Sequence, residues 1–267
     1  MPLPDVRRKL KSLLESAAVH FPSYRPLFGR ETYLRRLLGD LRIDTVLDVG
    51  ACVGDYALEL RKWGFRGRIF SFEPVPASYA LMCQNLKNDP LWTGLPFGLS
   101  DKSGTAVMHT YAARQFNSLL TLKDDAEQAY ELDHSRRTEI QIQLRRLDEV
   151  LPELLAGRDG ARVFLKMDTQ GHDVNVLNGA SGVMQRITAM QSEVPAVEIY
   201  EGMPSLSQAL ETYRGYGFVP VGFYPVNTFW DTHISPEFDV ILTRFQGKLA
   251  KEATSSAGAP VLAPAGR

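Results

Sequence analysis

The stretch from Thr45 to Tyr56 narrows the choice of folds more than any other part of this 267-residue chain. An apolar run, Thr45-Val46-Leu47, reaches Asp48, turns through Gly50 and Gly54, and re-emerges as an amphipathic segment. That pattern predicts a buried strand entering a helix through a tight glycine loop. Glycine lets the backbone take unusual φ values and lie close against a ligand. The first N–H groups of the following helix point at the same place, where an adjacent acid can hold a ligand's amine. The spacing is Asp-x-Gly-x-x-x-Gly rather than Gly-x-Gly-x-x-Gly, which disfavours an NAD-dependent dehydrogenase.

A second short apolar strand, from Arg68 to Phe72, ends at Glu73. Asp48 and Glu73 stand about one strand–helix–strand unit apart, the separation at which an acid meets ribose hydroxyls in a doubly wound sheet. The plainer reading makes Glu73 a solvated carboxylate and the glycines turn formers. Loop and acid together, at matching strand ends, favour a nucleoside site.

At this point the chain resembles the FkbM family of S-adenosylmethionine-dependent methyltransferases. The resemblance is carried by Asp48-Val49-Gly50-Ala51-Cys52-Val53-Gly54, by Phe72-Glu73-Pro74-Val75-Pro76 and by Gly98-Leu99-Ser100-Asp101. Most specific is the run from Leu165 through Asp168, Thr169, Gln170, Gly171, His172 and Asp173 to Gly179-Ala180. It extends from Asp44 to Arg244, with two departures: Cys52 where the family usually has Asn, and His172 where a small or aromatic residue is common. The resemblance implies an α/β fold, Rossmann-like and doubly wound, with a mostly parallel sheet and an antiparallel C-terminal strand. It implies S-adenosylmethionine as methyl donor, with Asp48, Gly50, Ala51, Gly54, Tyr56, Glu73, Ser100, Asp101 and Asp168 as cofactor-binding candidates. The acceptor it implies is a small-molecule hydroxyl, on a sugar or secondary metabolite.

Composition bounds what else the chain could do. A formal net charge of −1 gives no electrostatic footprint for nucleic acid. Two cysteines, Cys52 and Cys83, are too few for a disulfide framework, and the reading is a reduced, cytoplasmic protein. No run approaches the length of a membrane span, and no secretory signal is evident. Residues 1–40 read as an N-terminal helical cap, 41–247 as the methyltransferase domain, and 248–267 as a disordered tail rich in Ala, Ser, Gly and Pro.

Along the chain, Val6 to Val19 has helical periodicity with a basic outer face, and a second helix is expected over Glu31–Leu38. Tyr24, Phe28 and Tyr33 are candidate substrate contacts, with core packing as the alternative. Further strands are expected over Leu91–Leu99, Thr105–Tyr111, Ile140–Leu144, Val163–Asp168 and Thr188–Val194. Phe218–Phe223 and Phe238–Leu242 should close the sheet as an antiparallel pair. Residues 112–138 read as a polar insertion whose Asn117 and Ser118 reach the site. Ser100-Asp101 suits an adenine edge, although Asp-Lys-Ser-Gly is equally a turn sequence.

Methyl transfer from a sulfonium needs alignment, and a hydroxyl acceptor must also lose a proton. Asp168 at a strand's carboxyl end faces the expected ligand crevice. His172, just beyond it, has the intrinsic pKa of a base; with Glu193 these are the catalytic candidates. Asp168, His172, Asp173, Glu193 and Glu201 could alternatively bind Mg²⁺ or Mn²⁺, but their spacing matches no metal signature, and no metal is assigned. N-methylation, or a nucleoside-binding module without turnover, remains open at this level.

Overall fold

The structure is a computed structural model that describes residues 29–130, 132, 137–226, 228–229 and 232–244. The helix expected over Val6–Val19, the contacts expected of Tyr24 and Phe28, and the tail from Lys248 lie outside the described residues. The elements are α1 (Arg30–Asp40), β1 (Thr45–Val49), α2 (Asp55–Lys62), β2 (Arg68–Phe72), α3 (Pro76–Leu86), β3 (Trp92–Leu95), β4 (Gly98–Leu99), β5 (Gly104–Thr110) and α4 (Asp124–Ala129). They continue as β6 (Thr138–Arg145), α5 (Leu147–Leu154), β7 (Val163–Met167), α6 (Asp173–Asn178), β8 (Ile187–Pro195), α7 (Leu206–Gly215), β9 (Phe218–Val226) and β10 (Glu237–Arg244).

Seven strands form the main sheet in the order β3-β2-β1-β7-β8-β10-β9. Strands β3, β2, β1, β7 and β8 run parallel, and β10 lies antiparallel between β8 and β9. The order reverses between β1 and β7, so the ligand crevice of a doubly wound sheet is expected at their carboxyl ends.

Successive side chains of a strand point to opposite faces, and both faces here are covered. Leu47, Phe70, Leu165 and Met190 pack with Val150, Val176 and Tyr213 of α5, α6 and α7. Their chain neighbours Val46, Ile69, Phe164 and Ala189 pack with Leu38, Leu60 and Met82 of α1, α2 and α3. The continuous apolar runs seen in sequence are the signature of strands buried on both sides.

The strand expected over Leu91–Leu99 divides in two. Pro96 has no N–H to give a ladder, so pairing with β2 stops at Leu95. The chain then leaves the main sheet, and β4 pairs in parallel with β6, whose other edge carries β5 antiparallel. This small sheet, β4-β6-β5, is a separate layer. The insertion builds a third core from Tyr111, Phe116, Leu122 and Ala126 with Ile199, Tyr200 and Met203.

Candidate active site

A cavity of about 290 Å³ opens where the carboxyl ends of β1 and β7 meet. Gly50 and Cys52 line it from the glycine loop, Pro74 from beyond β2, and Asp168, Thr169, Gln170 and His172 from beyond β7. Glu193 closes one side from β8, while Leu99, Met108, Ile142 and Leu144 of the small sheet form an apolar wall.

The glycine loop is fastened from below. Lys166, inside an otherwise apolar strand, is buried with its Nζ 3.1 Å from Asp48 and 3.4 Å from Asp168. The same Nζ donates to the Gly50 carbonyl at 3.2 Å. Burial opposes the ammonium charge, but the two carboxylates more than offset this and hold its pKa above the usual lysine value. Asp48 is fully buried and also accepts from Ser71 Oγ at 3.2 Å. The direct ligand contact expected of Asp48 is therefore closed to it; it acts on the cavity only through Lys166. Tyr56 and Ala51 are likewise buried beneath the loop, and the Tyr56 hydroxyl donates to Gln191 at 3.2 Å.

Gly50 and Gly54 have left-handed φ values of 74° and 89°. A Cβ on Gly50 would lie 1.9 Å from the Asp168 carbonyl oxygen, and one on Gly54 would lie 2.7 Å from Leu86. Close packing of two loops and of α3, rather than ligand space, is what requires glycine at these positions.

Glu73 sits behind Cys52 and Pro74. Its carboxylate accepts the Cys52 and Val75 backbone N–H groups, each at 2.8 Å. Burial pushes its pKa up to about 7 despite these bonds and despite Lys166. The group is thus positioned at the end of β2, as expected, but almost wholly buried.

Ser100 and Asp101 lie at the end of β4, outside the cavity lining. Ser100 Oγ donates to Asp101 at 3.0 Å and lies 2.9 Å from His172 Nε2. With that hydroxyl hydrogen committed to Asp101, Nε2 is the donor and Nδ1 the free acceptor of the imidazole. Burial lowers the His172 pKa to about 4, opposed by Asp101. The ring expected to serve as a base is thereby biased toward its neutral form.

Gln170 organises the opposite wall, a role the sequence did not signal beyond its place in the motif. Its Nε2 donates to Glu193 at 2.7 Å and to Asp168 at 3.2 Å. Its Oε1 accepts from the Tyr200 hydroxyl at 2.7 Å, and its backbone carbonyl accepts from Ser118 Oγ at 2.7 Å. Gln170 and Gly171 both have positive φ, 53° and 88°, so the loop folds back on itself. Of the two insertion residues expected to reach the site, Asn117 lines the cavity, whereas Ser118 is buried and secures the loop. Glu193 has its pKa raised well above the carboxylate range, first by burial and then by Asp168, Glu237, Asp239 and Asp173.

Of the five side chains weighed as metal ligands, Asp168 and Glu193 line the cavity together, while the other three are engaged elsewhere or exposed. Asp173 spends one oxygen on the Thr169 N–H and hydroxyl and the other on Ser192 Oγ and the Glu193 N–H. His172 turns to Ser100, and Glu201 is exposed. Among the described residues, no three His, Cys, Asp or Glu side chains form a metal-binding group.

The methyltransferase FkbM domain matches residues 48–220, from the glycine loop to β9. The chain belongs to the FkbM methyltransferase family. Relatives of this family member include methyltransferase sdnD of Sordaria araneosa, 27% identical over 50% of this chain and 59% of that protein. Methyltransferase 1 of Beauveria bassiana is 25% identical over 50% of this chain and 57% of its own. The match thus takes in less than two thirds of either relative. Among solved structures, methyltransferase FkbM from Methylobacillus flagellatus is 13% identical, with a TM-score of 0.44 over 76% of this chain and 44% of that one. The matched residues include the glycine loop and the Asp168–Gly171 turn, the two loops that Lys166 ties together. No described helix is long and apolar enough to cross a membrane.

Proposed function

We propose that this protein methylates a hydroxyl of a small molecule, a sugar or secondary metabolite, using S-adenosylmethionine, with residues 41–247 as the catalytic unit. The donor set suits that cofactor. The Asp168 and Glu193 carboxylates favour a cationic ligand, Glu73 stands behind the wall where ribose hydroxyls would lie, and the Leu99, Met108, Ile142 and Leu144 wall suits a purine. When bound, S-adenosylmethionine supplies an electrophilic methyl group on a sulfonium.

The observation that carries the oxygen preference is the Gln170 amide bridging Asp168 and Glu193 on the cavity wall. A carboxylate whose pKa is raised by burial and by like charges is a stronger base once ionised. Glu193 therefore accepts the acceptor's hydroxyl proton at a carboxylate oxygen, while Gln170 fixes that oxygen's direction. Asp168, held between Lys166 and Gln170, orients cationic groups. His172, neutral and bonded to Ser100, shapes the wall and offers Nδ1 as an acceptor. Both cysteines are free thiols, which fits a reducing, cytoplasmic setting.

The test is Glu193→Gln, assayed with methyl-labelled S-adenosylmethionine against panels of hydroxyl and amine acceptors. Turnover on hydroxyls should fall by about 10²–10⁴-fold, with donor affinity nearly kept. The wild-type rate should rise with pH as Glu193 loses its proton, above the ordinary carboxylate range, and that rise should vanish in the variant. Full hydroxyl turnover by Glu193→Gln would refute the role of Glu193, and labelling of amines alone would refute the hydroxyl acceptor.

A further inference from the structure

Arg114 is the one Lys or Arg among the described residues that line the cavity. The other cation nearby, Lys166, is buried below and shared between Asp48 and Asp168. Arg114 lies on a single 3₁₀ turn, Arg114–Phe116, and its guanidinium has no hydrogen bond or ion pair with any described residue.

The turn that carries it is nonetheless held in place. Phe116 is buried in the third core, with its ring 4.8 Å from that of Tyr130 in an edge-on arrangement. The Tyr111 N–H donates to Asn117 Oδ1 at 2.9 Å, and Ser118 is tied to the Gln170 carbonyl. An arginine on a fixed turn, facing a cavity and unpaired, is preorganised for an anion; its planar fork suits a carboxylate bidentately. Arg114 is also near enough to the glycine loop for its charge to act on the Cys52 thiol, which burial and Glu73 otherwise push up.

Charge complementarity then pairs the charged groups of the ligand with those of the cavity. S-adenosylmethionine carries two cationic groups, the sulfonium and the ammonium, and one anionic group, its carboxylate. The cavity offers carboxylates at Asp168 and Glu193, and a single cation at Arg114 among its described lining residues. We propose that Arg114 binds the donor's carboxylate, so that the insertion contributes to the cofactor site. This rests on the donor reading above.

The test compares two probes, S-adenosylmethionine and decarboxylated S-adenosylmethionine, by calorimetry on wild type, Arg114→Ala and Arg114→Lys. Wild type should prefer the carboxylated probe. Arg114→Ala should lose about 10- to 100-fold in affinity for it, as expected for removing a charge-assisted hydrogen bond. Affinity for the decarboxylated probe should remain within about twofold, and Arg114→Lys should recover part of the loss. The side chain is exposed, so the thermal midpoint should not change. Equal losses for both probes would overturn the assignment. So would unchanged donor affinity with a raised acceptor KM, which would turn Arg114 toward the acceptor. A wild type that binds neither probe defeats the donor reading itself, and this assignment with it.

Discussion

At the scale of single residues, two titrating groups make opposite predictions. Glu73, with its pKa raised to about 7, is proposed to accept from ribose hydroxyls, and an ionised carboxylate accepts best. Donor affinity should therefore rise with pH through about 7 in the wild type and flatten in Glu73→Gln, whose amide also opposes one of the two N–H groups. Glu73→Ala should weaken donor binding by about 1.5–3 kcal/mol in calorimetry; unchanged affinity in a folded variant would remove Glu73 from the site. His172 works the other way. Its pKa falls from 6.5 unfolded to about 4 folded, so between these values the unfolded chain binds the proton that the folded chain refuses. Its contribution to stability is fully present above pH 6.5 and is lost as pH falls toward 4, by at most about 3 kcal/mol. Urea titrations from pH 4 to 7 should show this slope in the wild type and its loss in His172→Asn. Identical slopes would mean that the ring titrates normally.

At the scale of elements, the contact between the β1 and β7 loops is the decisive one. Gly50→Val places a branched side chain in a left-handed backbone and against the Asp168 carbonyl. Destabilisation of about 3 kcal/mol or more is expected, read as a lower urea midpoint, and any loss of binding follows from loop displacement. A variant with wild-type stability would show that the two loops are not packed as described. The same elements show what the sequence made legible. Apolar runs ending in Asp48, Glu73 and Asp168 revealed three parallel strands and their ligand-facing ends, because strands buried on both faces leave an unbroken apolar record. Pro96 was visible, but the departure of β4 to a second sheet depends on pairing with β6, more than forty residues away. Gln170 was legible only as a motif member. Its positive φ and its fork to Asp168 and Glu193 arise when β7, β8 and the insertion come together, which no local pattern records. Lys166 carried a signal, a cation between Leu165 and Met167, that is read correctly only once Asp48 is known to be buried beside it.

At the scale of the whole molecule, the two halves of the chain meet at one cavity. The N-terminal half brings the glycine loop and Glu73, the C-terminal half brings Asp168, Gln170 and Glu193, and the insertion adds Arg114 and Asn117 to the lining and is tied to Gln170 through Ser118. The central claim is that this cavity holds a methyl donor rather than a dinucleotide. Calorimetric titration of the wild-type protein with S-adenosylmethionine and, separately, with NAD tests it most directly. The account predicts a single saturable site for S-adenosylmethionine, at least about tenfold weaker in Glu73→Ala, and no binding of NAD. Saturable NAD binding that displaces S-adenosylmethionine, or no heat with either ligand from a folded protein, would contradict it.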